Sequence, residues 1–296
     1  MRSNHTHLNA KLRTAFQLRE AITVDVNHEE DDPLQQQHSN HIGEYLALAA
    51  AGYFHETLMH EGGNAKELQI GIAWGFVVSK IADYLEERHS REVEKLNKIG
   101  HHENPRKRTA RNFWFPLIGN FGLALEASQA GEICHRLCEI YDGIVEPLGI
   151  GTIENPPCKG PSPAEQKYFC KLAEKGDVIL TSASHWHEHH LLFRIGRCSP
   201  NKLPPVGPQV AGLLAGVFLA PDGSQVPAAL EHYRIASLGY EGFQQVASRG
   251  RVILVAGGKL HRPVILAALR GKLASVLITT TETGVWLLNR QATELS

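Results

Sequence analysis

The stretch VILVAGGKLHRPVILAALRGKL, residues 252–273, begins with apolar and mostly β-branched residues, continues with a glycine pair, and ends in apolar residues at helical spacing. A short apolar run bounded by glycine is typical of a buried strand in a parallel sheet, and the spacing after it predicts an amphipathic helix. The glycine pair therefore stands at a strand-to-helix turn. Such a turn either only redirects the chain or also presents backbone N–H groups to a bound anion.

The same order of strand, turn and helix recurs along the chain. Candidate strands are AITVDV at 21–26, the apolar run that ends at Trp74-Gly75, FWFPLIGN at 113–120, GDVILTSAS at 176–184, and the start of SVLITTTETGVWLLNRQ at 275–291. Candidate helices lie at 8–20, 42–58, 126–143 and 164–175. Repeated units of this kind predict an α/β fold with a parallel sheet and helices on both faces.

Composition gives only weak evidence for domain boundaries. We expect an N-terminal helix or linker over residues 1–20 and one domain over 21–296, interrupted by a charged, exposed excursion at 88–111 that contains the basic sequence PRKRTAR. Such charged blocks are typical of solvated loops, and nucleic-acid binding is the alternative. No internal repeat occurs.

Charge and cysteine usage exclude several classes of function. The 30 basic and 31 acidic residues give a net charge of −1, so the chain as a whole does not attract nucleic acid or a membrane surface. No stretch approaches the ~20 apolar residues of a bilayer span, and the polar N-terminus lacks the apolar core of a secretory signal. The five cysteines are odd in number and lack CxxC spacing, which favours reduced thiols. We expect a cytoplasmic protein without a membrane partner.

Three turns could hold a ligand at the carboxyl ends of the predicted strands. They are Gly119-Asn120 with Gly122, Ser182-Ala183-Ser184, and Gly257-Gly258. None has the G-x-G-x-x-G pattern of a dinucleotide site, and the chain has no G-x-x-x-x-G-K-[ST]. The sequence therefore predicts no nucleotide cofactor.

Five motifs in order resemble one family. They are GIAWG at 71–75, FPLIGNFG at 115–122, AGLLAGVFLAPDGSQV at 211–226, VILVAGG followed by ILAALRG at 265–271, and LIT at 277–279 followed by Leu287-Leu288. Together they resemble the sugar-binding domain of SorC/DeoR-type bacterial transcriptional regulators, which respond to sugars. The matches run from about residue 10 to residue 290 and are most specific in the C-terminal hundred residues.

The resemblance implies a Rossmann-like domain related to ribose-phosphate isomerases, glucosamine-phosphate deaminases and CoA transferases. It also implies a phosphorylated sugar as effector, homo-oligomers, and control of a separate helix-turn-helix domain. About 20 residues precede the first predicted strand, too few for that headpiece, so we do not expect this chain alone to bind DNA.

The resemblance also implies a set of ligand-binding residues. They are Gly119, Asn120, Phe121, Gly122, Gln129, Ser182, Ser184, Gly257, Gly258, His261 and Thr279. In that interpretation the segment 119–122 and the amides of the glycine pair receive an anion, Gln129 contacts hydroxyls, and His261 supplies the cation.

Several of these positions depart from the family pattern. His261 replaces the usual lysine and carries its charge only at lower pH, and Leu213 replaces an acidic residue. Ser182–Ser184 replaces a Gly-Ile-Gly turn, residues 279–281 are three threonines in place of Thr-Asp-Glu, and Phe76-Val77 stands where the family has a threonine after Trp-Gly. The departures predict an unchanged fold with an altered ligand or weakened binding.

Three other hypotheses remain open. His185, His187 and His189 of HWHEHH could bind zinc on a strand, although a polar loop is the simpler interpretation. A sugar-phosphate isomerase or deaminase would use carboxylates near the strand ends, for which the candidates are Glu126, Glu188, Asp222 and Glu282. The third hypothesis is a dimerisation scaffold without a ligand, favoured by Leu213 and by the loss of the lysine.

Overall fold

A computed structural model describes residues 2–26, 36–62, 66–98, 111–119, 129–148, 153–154, 163–185, 210–226 and 234–295. The helices are α1 (Arg2–Phe16), α2 (Gln36–Gly62), α3 (Phe76–Lys98), α4 (Ala130–Tyr141), α5 (Pro163–Lys175), α6 (Gly239–Arg249), α7 (Arg262–Arg270) and α8 (Thr281–Leu295). The strands are β1 (Glu20–Val24), β2 (Gln69–Ile72), β3 (Asn112–Pro116), β4 (Gly143–Val145), β5 (Ile153–Glu154), β6 (Val178–Thr181), β7 (Ala183–Ser184), β8 (Gly212–Leu214), β9 (Val217–Leu219), β10 (Arg234–Ile235), β11 (Arg251–Val255) and β12 (Val276–Thr280).

The main sheet has seven strands in the order β1-β12-β11-β6-β2-β3-β4, and every neighbouring pair is parallel. The predicted α/β class with a parallel sheet is therefore confirmed. From β2 the chain proceeds outward through β3 to β4, whereas from β6 it proceeds in the opposite direction through β11 to β12. The order of strands thus reverses between β2 and β6.

Alternate side chains of the buried strands enter two separate cores. In β11, Val252 and Leu254 belong to one apolar cluster, while Ile253 and Val255 belong to the other. The first cluster includes side chains of α1 and α5–α8, and the second includes side chains of α2–α4. Because successive strand residues point to opposite faces, a continuous apolar run is what a sheet covered on both faces requires.

The glycine pair after β11 is required by the backbone. Gly258 has φ +91° and ψ 155°, a region that essentially only glycine occupies. A Cβ on Gly257 would lie 2.9 Å from Thr280 Cγ2 and 3.0 Å from Leu46 Cδ1. Both glycines therefore serve the turn itself, which leads through a short 3₁₀ helix at Lys259–His261 into α7.

The charged segment 88–111 differs from the prediction. Residues 88–98 are not a loop but the exposed last turns of α3. Ion pairs one turn apart support this helical end: they join Arg88 to Glu92, Arg91 to Glu87, and Lys98 to Glu94. The described part of the chain resumes at residue 111, so most of the basic sequence lies outside it.

The predicted strand at 176–184 also differs from the structure. β6 ends at Thr181, and Ala183-Ser184 then pairs antiparallel with β8 in a separate sheet that β9 completes. Leu213, where the resemblance predicts an acidic residue, lies in β8 opposite Ser184 and is 4% exposed. The break at Ser182 takes the chain out of the main sheet at the edge where the strands end.

Candidate functional site

A cavity of about 150 Å³ opens at the carboxyl ends of the strands, beside the point where the order reverses between β2 and β6. Ligands of open α/β sheets bind at such switch points, because neighbouring crossovers leave in opposite directions there. The described lining residues are Ile42, Gly43, Leu46, Phe76, Val77, Ser182, Ala183, Ser184, Val255, Ala256, Gly257 and His261. Four segments thus meet: α2, the start of α3, the link after β6, and the turn after β11.

The lining has an apolar floor and a mostly polar rim. The floor consists of Leu46, Ala183, Val255 and Ala256, each at most 6% exposed. The side chains of Ser182, Ser184 and His261 are half-exposed. Phe76 is an exception at the rim, since an aromatic side chain 38% exposed lies there at the first position of α3.

Two of the segments that line the site contain backbone N–H groups outside the hydrogen-bond ladders of helix and sheet. The first hydrogen bond of α3 runs from Ser79 N–H to the Gly75 carbonyl, so the amides of Phe76 and Val77 precede the ladder of the helix. Gly257 N–H has no acceptor among the described residues, whereas Gly258 N–H donates to Thr283 Oγ1 at 3.1 Å. The amide of Gly258 is therefore already used to hold the turn against α8.

The described lining carries no side chain with a formal charge at neutral pH. Two cations lie close in sequence to His261: Lys259, which is exposed, and Arg262, whose guanidinium is 6.0 Å from the Trp286 ring and 3.8 Å from Glu282. Glu282 was a candidate base but does not line the cavity. The donors of the described wall are thus hydroxyls, an imidazole and backbone amides.

Of the other predicted carboxylates, the one that the structure describes, Asp222, does not line this cavity. Asp222 lies in an exposed turn, where the Ser224 hydroxyl and amide bond its carboxylate and lower its pKa below the usual value. Glu126 and Glu188 lie outside the described residues. Within the described lining, therefore, no carboxylate is positioned as a general base.

The cavity brings together four of the predicted ligand residues: Ser182, Ser184, Gly257 and His261. Gly258 adjoins it in the turn. Three others do not line it: Gly119, whose N–H donates to the Ala236 carbonyl at 3.2 Å, Gln129, which is 9% exposed before α4, and Thr279, which is fully buried in β12. Asn120, Phe121 and Gly122 lie outside the described residues.

Sequence reasoning missed the wall that α2 contributes, Ile42, Gly43 and Leu46. Gly43 is the available signal, since a Cβ there would lie 3.2 Å from Phe76 Cε1 and the glycine lets the two helices approach. Phe76-Val77 was recognised as a departure from the family pattern but not as part of the site.

The zinc hypothesis gains no support from the described residues, whereas Cys134, Cys138 and Cys170 are free thiols, as the sequence predicts. His185 is half-buried, and His187 and His189 lie outside the description. No group of three possible metal ligands occurs in the part that was described. Burial raises the pKa of Cys134 well above its usual value and also raises the pKa of Cys138, so both favour the thiol form.

Comparison with solved structures finds the same fold in several transcriptional regulators. A sugar-binding domain of a transcriptional repressor from Vibrio fischeri superimposes with a TM-score of 0.72 at 19% identity, covering 97% of this chain and 99% of that one. A transcriptional regulator from Streptococcus pneumoniae gives 0.72 at 15% identity, covering 98% of each chain. The full-length sorbitol operon regulator SorC from Klebsiella pneumoniae gives 0.66 at 16% identity, covering 96% of this chain and 81% of that protein.

At these low identities the superpositions show the fold alone. The fold that the resemblance to SorC/DeoR-type domains implies is confirmed. No family model and no curated protein matches the sequence. None of the described helices is both long and apolar enough to cross a bilayer.

Proposed function

We propose that this chain is the effector-binding domain of a sugar-responsive transcriptional regulator, and that a sugar, its phosphate ester or a related polyol binds in the cavity at the carboxyl ends of β2, β6 and β11. The observation that carries the proposal is the convergence of Ser182, Ser184, His261 and the Gly257 amide on one cavity at the switch point. Solved structures with this fold include sugar-binding domains of transcriptional regulators, which supports the same conclusion.

Binding in this cavity links parts of the chain that are far apart in sequence. A ligand would contact α2, the start of α3, the link after β6 and the turn before α7 at once. A ligand can shift a conformational equilibrium only through different affinities for the two states, and contacts to four segments provide such a difference. We propose that ligand binding changes the association of this chain with itself or with a partner, which sedimentation velocity with and without ligand measures.

We propose binding without turnover. Proton transfer between the carbons of a sugar needs a base and an acid placed together over the substrate, and the described lining offers one imidazole without a carboxylate beside it. An assay of aldose–ketose interconversion with phosphopentoses tests this point. Turnover that persists in a highly purified preparation and disappears in His261→Ala would contradict it.

A thermal-shift screen with sugars, sugar phosphates and polyols tests the proposed function directly. A ligand at 100 times its Kd stabilises the folded state by about 2.7 kcal/mol. The double variant Ser182→Ala/Ser184→Ala and the single variant His261→Ala should each reduce the shift. Ser248→Ala and His60→Ala replace exposed residues remote from the cavity lining and should leave it unchanged.

If no compound shifts the melting temperature, the ligand-binding proposal is wrong and the scaffold hypothesis takes its place. If a compound shifts it equally in the wild-type protein and in both site variants, a ligand binds elsewhere.

A further inference from the structure

The floor of the cavity restricts which part of a ligand can be buried. Leu46 and Val255 are 1% and 0% exposed, and Ala256 is 4% exposed, so a ligand that fills the cavity presses its inner side against hydrocarbon. A phosphate group placed against this floor would lose its hydration without gaining hydrogen bonds from it, because the floor side chains are hydrocarbon. The C–H groups of a ligand make no hydrogen bonds to water, so they lose none when they pack against this floor.

Phe76 provides a second apolar surface, at the rim. Its ring edge packs near Gly43 of α2, where a Cβ would lie 3.2 Å from Cε1, and 38% of the residue is exposed in the absence of a ligand. Helix starts favour polar capping and acidic residues, so helix capping does not account for an exposed phenyl ring at the first position of α3. Covering the ring with a ligand would remove its apolar surface from water.

The ammonium group above this ring is already paired. Lys80 Nζ lies 5.9 Å from the Phe76 centroid and bonds Asp83 Oδ2 at 2.8 Å. The same hydrogen bond raises the pKa of Lys80. The lysine beside the ring thus has an acidic partner on its own helix, and a phosphate would have to compete with Asp83 for it.

Resting on the proposed function, we infer that the ligand is a neutral monosaccharide, bound with one C–H face against the apolar floor and the Phe76 ring, rather than a phosphate ester. An aromatic face carries partial negative charge and attracts the polarised C–H groups of a sugar ring. The hydroxyl edge of the sugar then meets Ser182, Ser184 and His261 at the polar rim. Phe76 is accordingly the specificity-determining residue of this site.

The first experiment measures affinity by titration calorimetry at pH 7.5 with the intact chain. The probes are the common aldopentoses and aldohexoses together with the matched pairs ribose and ribose 5-phosphate, and glucose and glucose 6-phosphate. At least one neutral sugar should bind, and its own phosphate ester should bind at least tenfold more weakly. A phosphate ester that binds as tightly as its parent sugar, or more tightly, overturns the inference and leaves the proposed function intact. Absence of binding by every probe contradicts the proposed function itself.

The second experiment tests Phe76 with the best neutral sugar from the panel. Phe76→Ala should weaken binding about tenfold, Phe76→Leu should weaken it about threefold because apolar area remains while the aromatic face is lost, and Phe76→Trp should stay close to wild type. Tyr45→Ala is the matched control, since this ring is 41% exposed on α2 but does not line the cavity. Melting temperatures of all four variants check folding, and a Phe76→Leu variant that binds like the wild type while remaining folded overturns the role of the ring.

Discussion

Replacing Gly258 with alanine tests whether the turn after β11 depends on glycine. The residue adopts φ +91° and ψ 155°, where a residue with a Cβ is strained by about 1–3 kcal/mol. Loss of glycine's freedom in the unfolded chain returns about 0.4–1 kcal/mol. The new Cβ would lie 3.2 Å from Ile42 Cδ1, a flexible end that can move slightly. At the middle of the two ranges, the net expectation is a loss of about 1.3 kcal/mol in the free energy of unfolding.

Urea unfolding followed by circular dichroism measures this loss as a shift in the midpoint at unchanged slope. Gly52→Ala is the matched control, because Gly52 lies inside α2 and a Cβ there meets nothing within 4 Å. That substitution should stabilise the protein by about 0.5–1 kcal/mol through helix propensity. If Gly258→Ala is neutral or stabilising like the control, the backbone does not need glycine at this turn and the reasoning is refuted.

Two further predictions concern other parts of the chain. Cys170 is exposed and Cys134 is fully buried with a raised pKa, so Cys170→Ser should abolish a fast phase of reaction with a thiol reagent, whereas Cys134→Ser should not. Burial alone would raise the pKa of Asp83, but hydrogen bonds from Lys80 and Arg136 hold this pKa below the ordinary value of 3.8. The stability that these hydrogen bonds provide is complete above pH 3.8 and is lost as the pH falls through the lower pKa of the folded state. Asp83→Asn should therefore cost about 1 kcal/mol in urea unfolding at pH 7, with the difference from wild type narrowing below pH 3.8; a difference that stays constant into acid would contradict this assignment.

The parallel sheet could be predicted because its strands carry the signal themselves. Residues 252–255 are apolar without a break, which only a strand covered on both faces tolerates, and a glycine turn and a helical pattern follow them directly. The second sheet gives no comparable signal, because β7, β8 and β9 have two or three residues each and their pairing depends on contacts distant in sequence. The end of α3 was read as a loop because its charge suggested solvation, while the same charges form pairs one turn apart.

The candidate site could be predicted only in part, for a related reason. Ser182, Ser184, Gly257 and His261 follow strands whose carboxyl ends must lie at one edge of the sheet, so their meeting follows from the predicted fold. The wall from α2 depends instead on how a helix packs over the sheet. Gly43 indicates close packing of α2, but no local pattern in residues 42–46 indicates that this turn of the helix lies near the glycine turn more than 200 residues later.

The glycine turn and the side chains that line the cavity are under different physical constraints. Gly257 is required by close packing and Gly258 by its backbone conformation. Substituting either one therefore strains the turn whatever ligand is bound. Phe76, Ser182 and His261 stand where the chain has just left a strand or is about to enter a helix, and their side chains can change without moving the sheet. The glycine turn therefore indicates the fold. The chemistry of the ligand depends instead on side chains such as those of Phe76, Ser182 and His261.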